Sequence, residues 1–312
     1  MTMNRQWLLK ARPHGMIGPD NFEYTETPIP QIGDGEILVQ NQYLSFDPTQ
    51  RNWMVDRPGY LPPVGMGEVM RAGSVSEVVE SKHPDFKPRE QVQTTGCWQD
   101  FAVVAPGQGP MGVNKLPPGV SPEMMLSILG ITGMTAYFGL LDHGQPEDGE
   151  TVLVSGAAGA TGSVVGQIAK LKGCRTIGIA GGEKKCAWLT DVAKFDGAID
   201  YKSEDVSERI GALCPNKWDI FFDNVAGPIL EAALNHLNLY SRVVMCGGIA
   251  NYNNIEPVPG PNNLMNIVTN RGRMQGFIIL DYLPRAMEAI ETLVGWVSAG
   301  DIVYEVDVQE GF

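Results

Sequence analysis

The sequence predicts an α/β protein in two parts: an irregular β-rich domain over residues 1–125, and a doubly wound parallel sheet over residues 126–299. Three observations carry this. Fifteen of the 22 prolines lie within residues 1–125, and proline is excluded from helix interiors and central strands, so regular structure concentrates in the rest. From about Ser121 short apolar runs alternate with helical stretches, as parallel strands joined by crossover helices require. The chain has 312 residues, 43% hydrophobic and 19% charged, which suits two domains with buried cores.

In the N-terminal part the apolar runs Glu36–Gln40, Gly67–Met70, Val75–Val79 and Phe101–Val104 are short and broken by turn residues. This is all-β grammar, and it reads as a partly open barrel more readily than as a sandwich. Ser121 as N-cap and Pro122 at the first helical position open a long apolar helix expected over Glu123–Leu141. Strands are then expected at Thr151–Val154, Arg175–Ile179, Gly197–Asp200, Trp218–Phe222, Arg242–Cys246 and Met274–Ile279. Helices are expected at Gly162–Lys172, Glu183–Lys194, Val206–Leu213 and Ile229–Leu237.

The first of these strands runs into Ser155-Gly-Ala-Ala-Gly159-Ala-Thr-Gly162, with Gly166 one turn later. Glycine reaches the φ values a tight turn needs and lets a pyrophosphate approach the backbone. The next helix offers unpaired N–H groups and the positive end of its dipole. The spacing G-x-x-G-x-x-G is weak alone. Between a strand and a helix in a six-strand alternation it points to a Rossmann dinucleotide fold.

The second strand ends Ile179-Ala-Gly-Gly182 with no acid at its tip, where a site for the ribose diol of NADH would place one. Glu183 follows, then Lys184 and Lys185. An ammonium pair in a chain of net charge −13 suits a 2′-phosphate, and Tyr201, just after the third strand, is placed to offer its hydroxyl to the same group. The cofactor expected is NADPH.

The acidic surface argues against nucleic acid and anionic membranes as partners. No apolar run spans a bilayer and Met1–Lys10 has no apolar signal region. Five scattered cysteines (Cys97, Cys174, Cys186, Cys214, Cys246) read as reduced thiols of a cytoplasmic protein. The four histidines (His14, His83, His143, His236) are isolated and Cys97 has no partner at ligand spacing, so no catalytic zinc is expected.

These residues resemble the zinc-independent medium-chain reductases of activated double bonds, the leukotriene B4 dehydrogenase/prostaglandin reductase and curcumin reductase group. The carriers are Leu44-Ser-Phe-Asp-Pro48 with Arg51, Pro62–Met70, Gly133–Leu141, Ser155–Gly162, Asp223-Asn-Val-Ala-Gly227, Cys246–Asn253 and Gln275–Ile279. The resemblance implies a GroES-like barrel in the N-terminal part, rejoined by residues 300–312 and, in relatives, by a further helix and final strand. It implies a homodimer or a monomer. It implies cofactor contacts at Thr135, at Gly159, Ala160, Thr161 and Gly162, at Lys185 and Tyr201, and at Asn224. Further contacts are implied at Cys246, Gly247, Gly248, Ile249 and Tyr252, and at Phe277, Ile278 and Ile279. Two departures stand out. Thr49-Gln50 replaces the usual Tyr-Met beside the expected substrate pocket, and Ala226 stands where glycine is usual.

Without a Lewis acid, reducing a C=C conjugated to a carbonyl is easier than reducing a simple ketone. Hydride goes to the β-carbon and the charge collects on oxygen as an enolate, which needs only a donor in place. Tyr252, at the C-terminal end of the fifth strand, is the candidate donor, since a phenol of ordinary pKa about 10 keeps its proton at neutral pH. The cofactor ribose hydroxyl is the expected second donor. An alternative role for Tyr252 is an aromatic wall against nicotinamide. Asp47 and Arg51 are expected to form an ion pair that fixes the pocket loop. Tyr60, Met66 and Trp53 either line an apolar pocket beside Thr49 and Arg51 or belong to the core. The function expected is reduction of alkenals and enones. The alternatives are a quinone reductase and a non-enzymatic NADPH-binding protein.

Overall fold

A computed structural model describes residues 2–109, 111–254 and 256–312. The chain forms two compact units: Met1–Leu126 with Tyr252–Glu256, and Ser127–Asn251 with Pro257–Phe312.

The first unit is β-rich. Strand β1 (Met3–Leu9) pairs antiparallel with β2 (Phe22–Pro28). Strand β3 (Ile37–Leu44) precedes the single turn of helix α1 (Gln50–Trp53). Then come β4 (Ser74–Ser81), β5 (Gln91–Thr94), β6 (Phe101–Val104), the short β7 (Asn114–Lys115) and α2 (Pro122–Leu126). Strands β3 to β7 make an antiparallel sheet in the order β6-β3-β4-β5-β7. Ile37, Val39, Val78, Val92 and Ala102 form its buried core. A period-2 alternation puts such residues on one face. Gly67–Met70, expected as a strand, makes only an isolated bridge between Leu8 and Val69. The segment is a turn, with Gly67 at φ +79° and the Glu68 carboxylate accepting from the Gly65 amide at 2.8 Å.

The long helix expected over Glu123–Leu141 is broken. Ser121 does cap its start, accepting the Met124 amide at 3.2 Å. The helix stops at Leu126, and α3 (Ile131–Phe138) begins after a turn. Thr132 Oγ1 donates to Ser127 O at 2.8 Å and closes that turn. Gly133 packs so close to it that a Cβ there would sit 1.7 Å from Ile128 O. The break coincides with the boundary between the units. A π-helical turn comes next, over Gly139–Gly144.

The second unit holds β8 (Thr151–Ser155), α4 (Ala160–Leu171), β9 (Arg175–Ala180), α5 (Glu183–Asp191), β10 (Gly197–Asp200) and α6 (Val206–Leu213). After these come β11 (Trp218–Asp223), α7 (Gly227–Ala233), β12 (Leu237–Met245), α8 (Met265–Thr269), β13 (Arg273–Gly276) and α9 (Ala286–Ala299). The six strands are parallel in the order β10-β9-β8-β11-β12-β13. Both faces are covered, so β8 is buried along its whole length. Leu153, Trp218, Phe221 and Phe222 are fully buried here. Each stabilises the fold by about 2–3 kcal/mol before chain entropy is counted.

Residues 300–312, expected to rejoin the N-terminal domain, lie with the second unit. Gln167 on α4 bonds both the amide and the carbonyl of Val303, at 2.8 and 2.9 Å, and Trp188 Nε1 donates to Glu305 at 2.6 Å. A buried amide side chain with two backbone partners is a strong local anchor.

Candidate cofactor site

Strand order reverses between β8 and β11, and in open α/β sheets ligands bind outside the carboxyl ends of the strands at such a point. The glycine turn comes directly after β8. Gly156 takes φ +57°, Gly159 is extended and caps α4, and the Gly159 amide donates to Gly156 O at 2.9 Å. A Cβ on Gly162 would lie 2.4 Å from Gly156 O, so the first turn of α4 closes only with glycine there. Gly166 serves packing, as a Cβ would lie 1.9 Å from the Phe195 ring. The buried face Val164, Val165, Ile168 and Ala169 fixes α4 against the sheet. Its first amides, around Ala160, Thr161 and Gly162, have no earlier helical carbonyls to bond, which suits a phosphate.

Across the switch point lies a device that sequence reading had not assigned. Asp223 ends β11 fully buried. Its carboxylate accepts from Ser155 Oγ at 2.6 Å, from the Val225 amide at 2.9 Å and from the Ala226 amide at 3.0 Å. Burial raises this carboxyl above its ordinary range, and these bonds offset only part of the rise. Asn224 is tied to the same point, its amide to Ser155 Oγ at 2.8 Å and its Nδ2 to Ser155 O at 2.7 Å. The loop after β12 lies on this turn. The Cys246 and Gly247 amides donate to Asp223 O at 2.9 and 3.1 Å, and the Ile249 amide to Asn224 O at 3.3 Å. Burial, with Asp223 nearby, pushes the Cys246 thiol up to about 12. Gly159–Gly162, Asn224 and Cys246–Ile249 are thus joined at the ends of β8, β11 and β12. The signals for Asp223 were an acid closing an apolar strand and its place at the head of the Asp223-Asn-Val-Ala-Gly227 motif.

At the end of β9, Tyr201 packs on the turn that leads into α5. A Cβ on Gly181 would lie 2.8 Å from the Tyr201 ring, so the phenol lies over Gly181. Lys184 and Lys185 are exposed in the first turn of α5 and form no ion pair among the described residues. Asp200, also not anticipated, would be an unfavourable neighbour for a phosphate. Its carboxylate instead accepts the Gly182 and Lys202 amides at 2.7 and 3.0 Å, and these bonds hold it below the usual carboxylate range.

Other expected contacts are more qualified. Thr135 is half-buried and returns its hydroxyl to Ile131 O at 2.6 Å. The Phe277 ring stacks on His143 with centroids 5.1 Å apart and fills the space over Gly139. What residues 277–279 can offer a ligand is therefore chiefly the backbone and the side chains of Ile278 and Ile279.

The substrate-pocket residues lie in the first unit. The hydroxyls of Thr49 and Tyr60 bond each other. Tyr60 and Met66 are exposed, whereas Trp53 belongs to the cluster around Leu9, Met54, Val64 and Met70. The Asp47–Arg51 ion pair is not formed. Asp47 accepts Ser45 Oγ at 2.9 Å, and burial raises its carboxyl. Arg51 points to carbonyls and to Asn253, a residue sequence reading had left without a role. Tyr252 precedes it and is half-buried. Among the described residues no group of three or more His, Cys, Asp or Glu is arranged to hold a metal ion. No helix among them is long and apolar enough to cross a membrane.

A parallel sheet in this order with a glycine turn at its switch point, preceded by a separate antiparallel β-rich unit, defines a medium-chain dehydrogenase/reductase. Residues 5–113 match the family described as the N-terminal domain of oxidoreductase, and residues 160–298 match zinc-binding dehydrogenase. The chain is 41% identical to the NADPH-dependent curcumin reductase of Escherichia coli, over 99% of this chain and 90% of that one. It is 35% identical to the NADP(+)-dependent 2-alkenal reductase of Nicotiana tabacum, over 99% and 90%. The crystal structure of CurA from Vibrio vulnificus in complex with NADPH superposes with a TM-score of 0.91 at 42% identity, over 96% of this chain and 90% of that one. The chain belongs to the zinc-independent medium-chain dehydrogenase/reductase family, in the curcumin, prostaglandin and 2-alkenal reductase group, and is an oxidoreductase.

Proposed function

We propose that this protein reduces the C=C bond of small α,β-unsaturated ketones and aldehydes, with NADPH as its cofactor. The observation that carries the cofactor assignment is the exposed lysine pair opening α5 directly after the Gly181–Gly182 turn, on which Tyr201 packs at Gly181, in a chain of net charge −13. The double-bond chemistry is supported by the curcumin and 2-alkenal reductases that the chain resembles over almost its whole length.

NADPH held at this site supplies a hydride. The chain's own residues then have four tasks. Gly159–Gly162 and the first amides of α4 bind the pyrophosphate. Lys185 and Tyr201 hold the 2′-phosphate. Asn224 and Cys246–Gly248 shape the rim around Asp223. Tyr252 donates a hydrogen bond to the carbonyl oxygen. As a hydride adds to the β-carbon, the π electrons move to that oxygen as an enolate, and solvent returns a proton to the α-carbon. A donor already in place stabilises the enolate without reorganisation. Thr49, Tyr60, Met66 and Arg51 are the residues proposed to shape the acceptor pocket.

We further place the protein in the cytoplasm, supported by five cysteines free of disulfides. It acts on neither nucleic acid nor membrane. A homodimer is supported by β13, which ends the sheet with one edge unpaired among the described residues; sedimentation at micromolar concentration checks it.

The test is the loss of reduced-nicotinamide absorbance with an enone, an alkenal and a quinone, under NADPH and then NADH. Turnover of the enone with NADPH is expected. Turnover of the quinone alone would assign a quinone reductase. Tight NADPH binding with no turnover would leave a binding protein.

A further inference from the structure

The chain makes one short excursion. Residues up to Asn251 belong to the second unit, Tyr252–Glu256 to the first, and Pro257 returns to the second. Five residues cannot bury enough apolar surface to offset their ordering entropy, so a polar tie must hold them. That tie is Asn253. Its Oδ1 accepts from Arg51 Nε at 3.1 Å, and its Nδ2 meets Met16 Sδ at 2.9 Å. Arg51 is 7% exposed, and its Nη2 donates to Gly15 O at 2.9 Å. No carboxylate answers it among the described residues; Asp47, near it in sequence, is turned to Ser45. A buried guanidinium without a counter-ion is costly, and an apolar side chain would fill the same volume at less expense. An arginine retained in such a place fits a positional task, because its planar fork fixes several acceptors at once.

We propose that Arg51, acting through Asn253, is a positioning residue for Tyr252. Arg51 and the loop at Gly15 hold the Asn253 amide, and with it the backbone of the adjacent Tyr252. This tie narrows the orientations in which the phenol is presented. Preorganisation of this kind acts on the chemical step and leaves cofactor affinity alone. The inference rests on the reading of Tyr252 as the donor to the enolate oxygen.

A double-mutant cycle in the full chain tests it, with NADPH and methyl vinyl ketone as the enone. Tyr252→Phe and Asn253→Ala are each expected to lower kcat about tenfold or more, with KM for NADPH within about twofold of the parent. The double variant is expected to be no slower than Tyr252→Phe alone, because Asn253 acts only through the phenol. Asn253→Asp keeps an acceptor for Arg51 and is expected to restore most of the rate, while Arg51→Lys loses the fork and behaves like Asn253→Ala. If the two losses multiply, or Asn253→Asp is as slow as Asn253→Ala, the positioning role is overturned while Tyr252 keeps its own. If Tyr252→Phe leaves kcat unchanged, the donor reading falls and this inference falls with it.

Discussion

Two neighbouring turns meet at the switch point of the sheet and solve the same problem differently. After β8 the backbone reverses with glycine: Gly156 takes φ +57° and Gly162 leaves room for Gly156 O. After β11 it reverses with Ala226 at φ 61° and ψ −153°, a region that glycine occupies cheaply and alanine does not. The second turn is held by the Asp223 carboxylate, bonded to Ser155, Val225 and Ala226. The first turn is therefore held mainly by local conformation, the second by a buried carboxylate with donors from β8 and from the turn itself. The difference teaches that one geometric demand can be written plainly in composition or hidden in a tertiary network.

That contrast can be broken from the side of the network first. Asp223→Ala leaves two buried donors, on Ser155 and Ala226, and one half-buried donor, on Val225, without their acceptor. With the charge's own desolvation offsetting part, the loss is about 4 kcal/mol, or roughly 10 °C in Tm, read by calorimetry. A drop of a degree or two would mean that the carboxylate holds nothing. From the glycine side, Gly162→Ala drives a Cβ to 2.4 Å from Gly156 O and 2.9 Å from Ala157 Cα. About 3 kcal/mol of stability is expected to go, and NADPH binding with it, measured by cofactor fluorescence titration. Retained affinity would remove this turn from the cofactor site.

Smaller changes sharpen the comparison. Lys185→Ala touches neither turn and is expected to weaken NADPH about tenfold while leaving NADH nearly unchanged, and to flatten the dependence of NADPH affinity on salt. An equal loss for both cofactors would overturn the 2′-phosphate role. Ala226→Gly relieves the strained turn. Net of the extra chain entropy of glycine, a gain of about 1 kcal/mol and about 3 °C in Tm is expected, with kcat unchanged. A loss of stability would show that the Asp223 network holds Ala226 without strain.

The sheet was largely legible because its signals are local. Buried parallel strands read as apolar runs, and all six expected strands overlap those found, although β12 starts earlier, at Leu237, and β13 ends at Gly276. The helix over Glu123–Leu141 failed for the opposite reason. Its apolar composition favours a helix throughout, and only the close approach of Gly133 to Ile128 O shows why the chain must turn at Ser127–Gly130. The packing of Tyr201 on Gly181 was legible in outline, since the two residues follow the ends of neighbouring strands. The role of Asp200 was not legible, because the backbone amides that stabilise its carboxylate cannot be seen in composition. The Asp47–Arg51 pair was an error of proximity in sequence; each side chain found a different partner.

What the sequence determined by itself is what short-range physics decides: where glycine permits a tight turn and where strands and helices alternate. What only the tertiary structure decided are pairings between distant residues. Ser155 and Asp223 are 68 positions apart, and Arg51 and Asn253 are 202 apart. Such bonds form only once the fold has removed water and brought the partners together, and a polar group buried by that fold must take the partner the fold supplies.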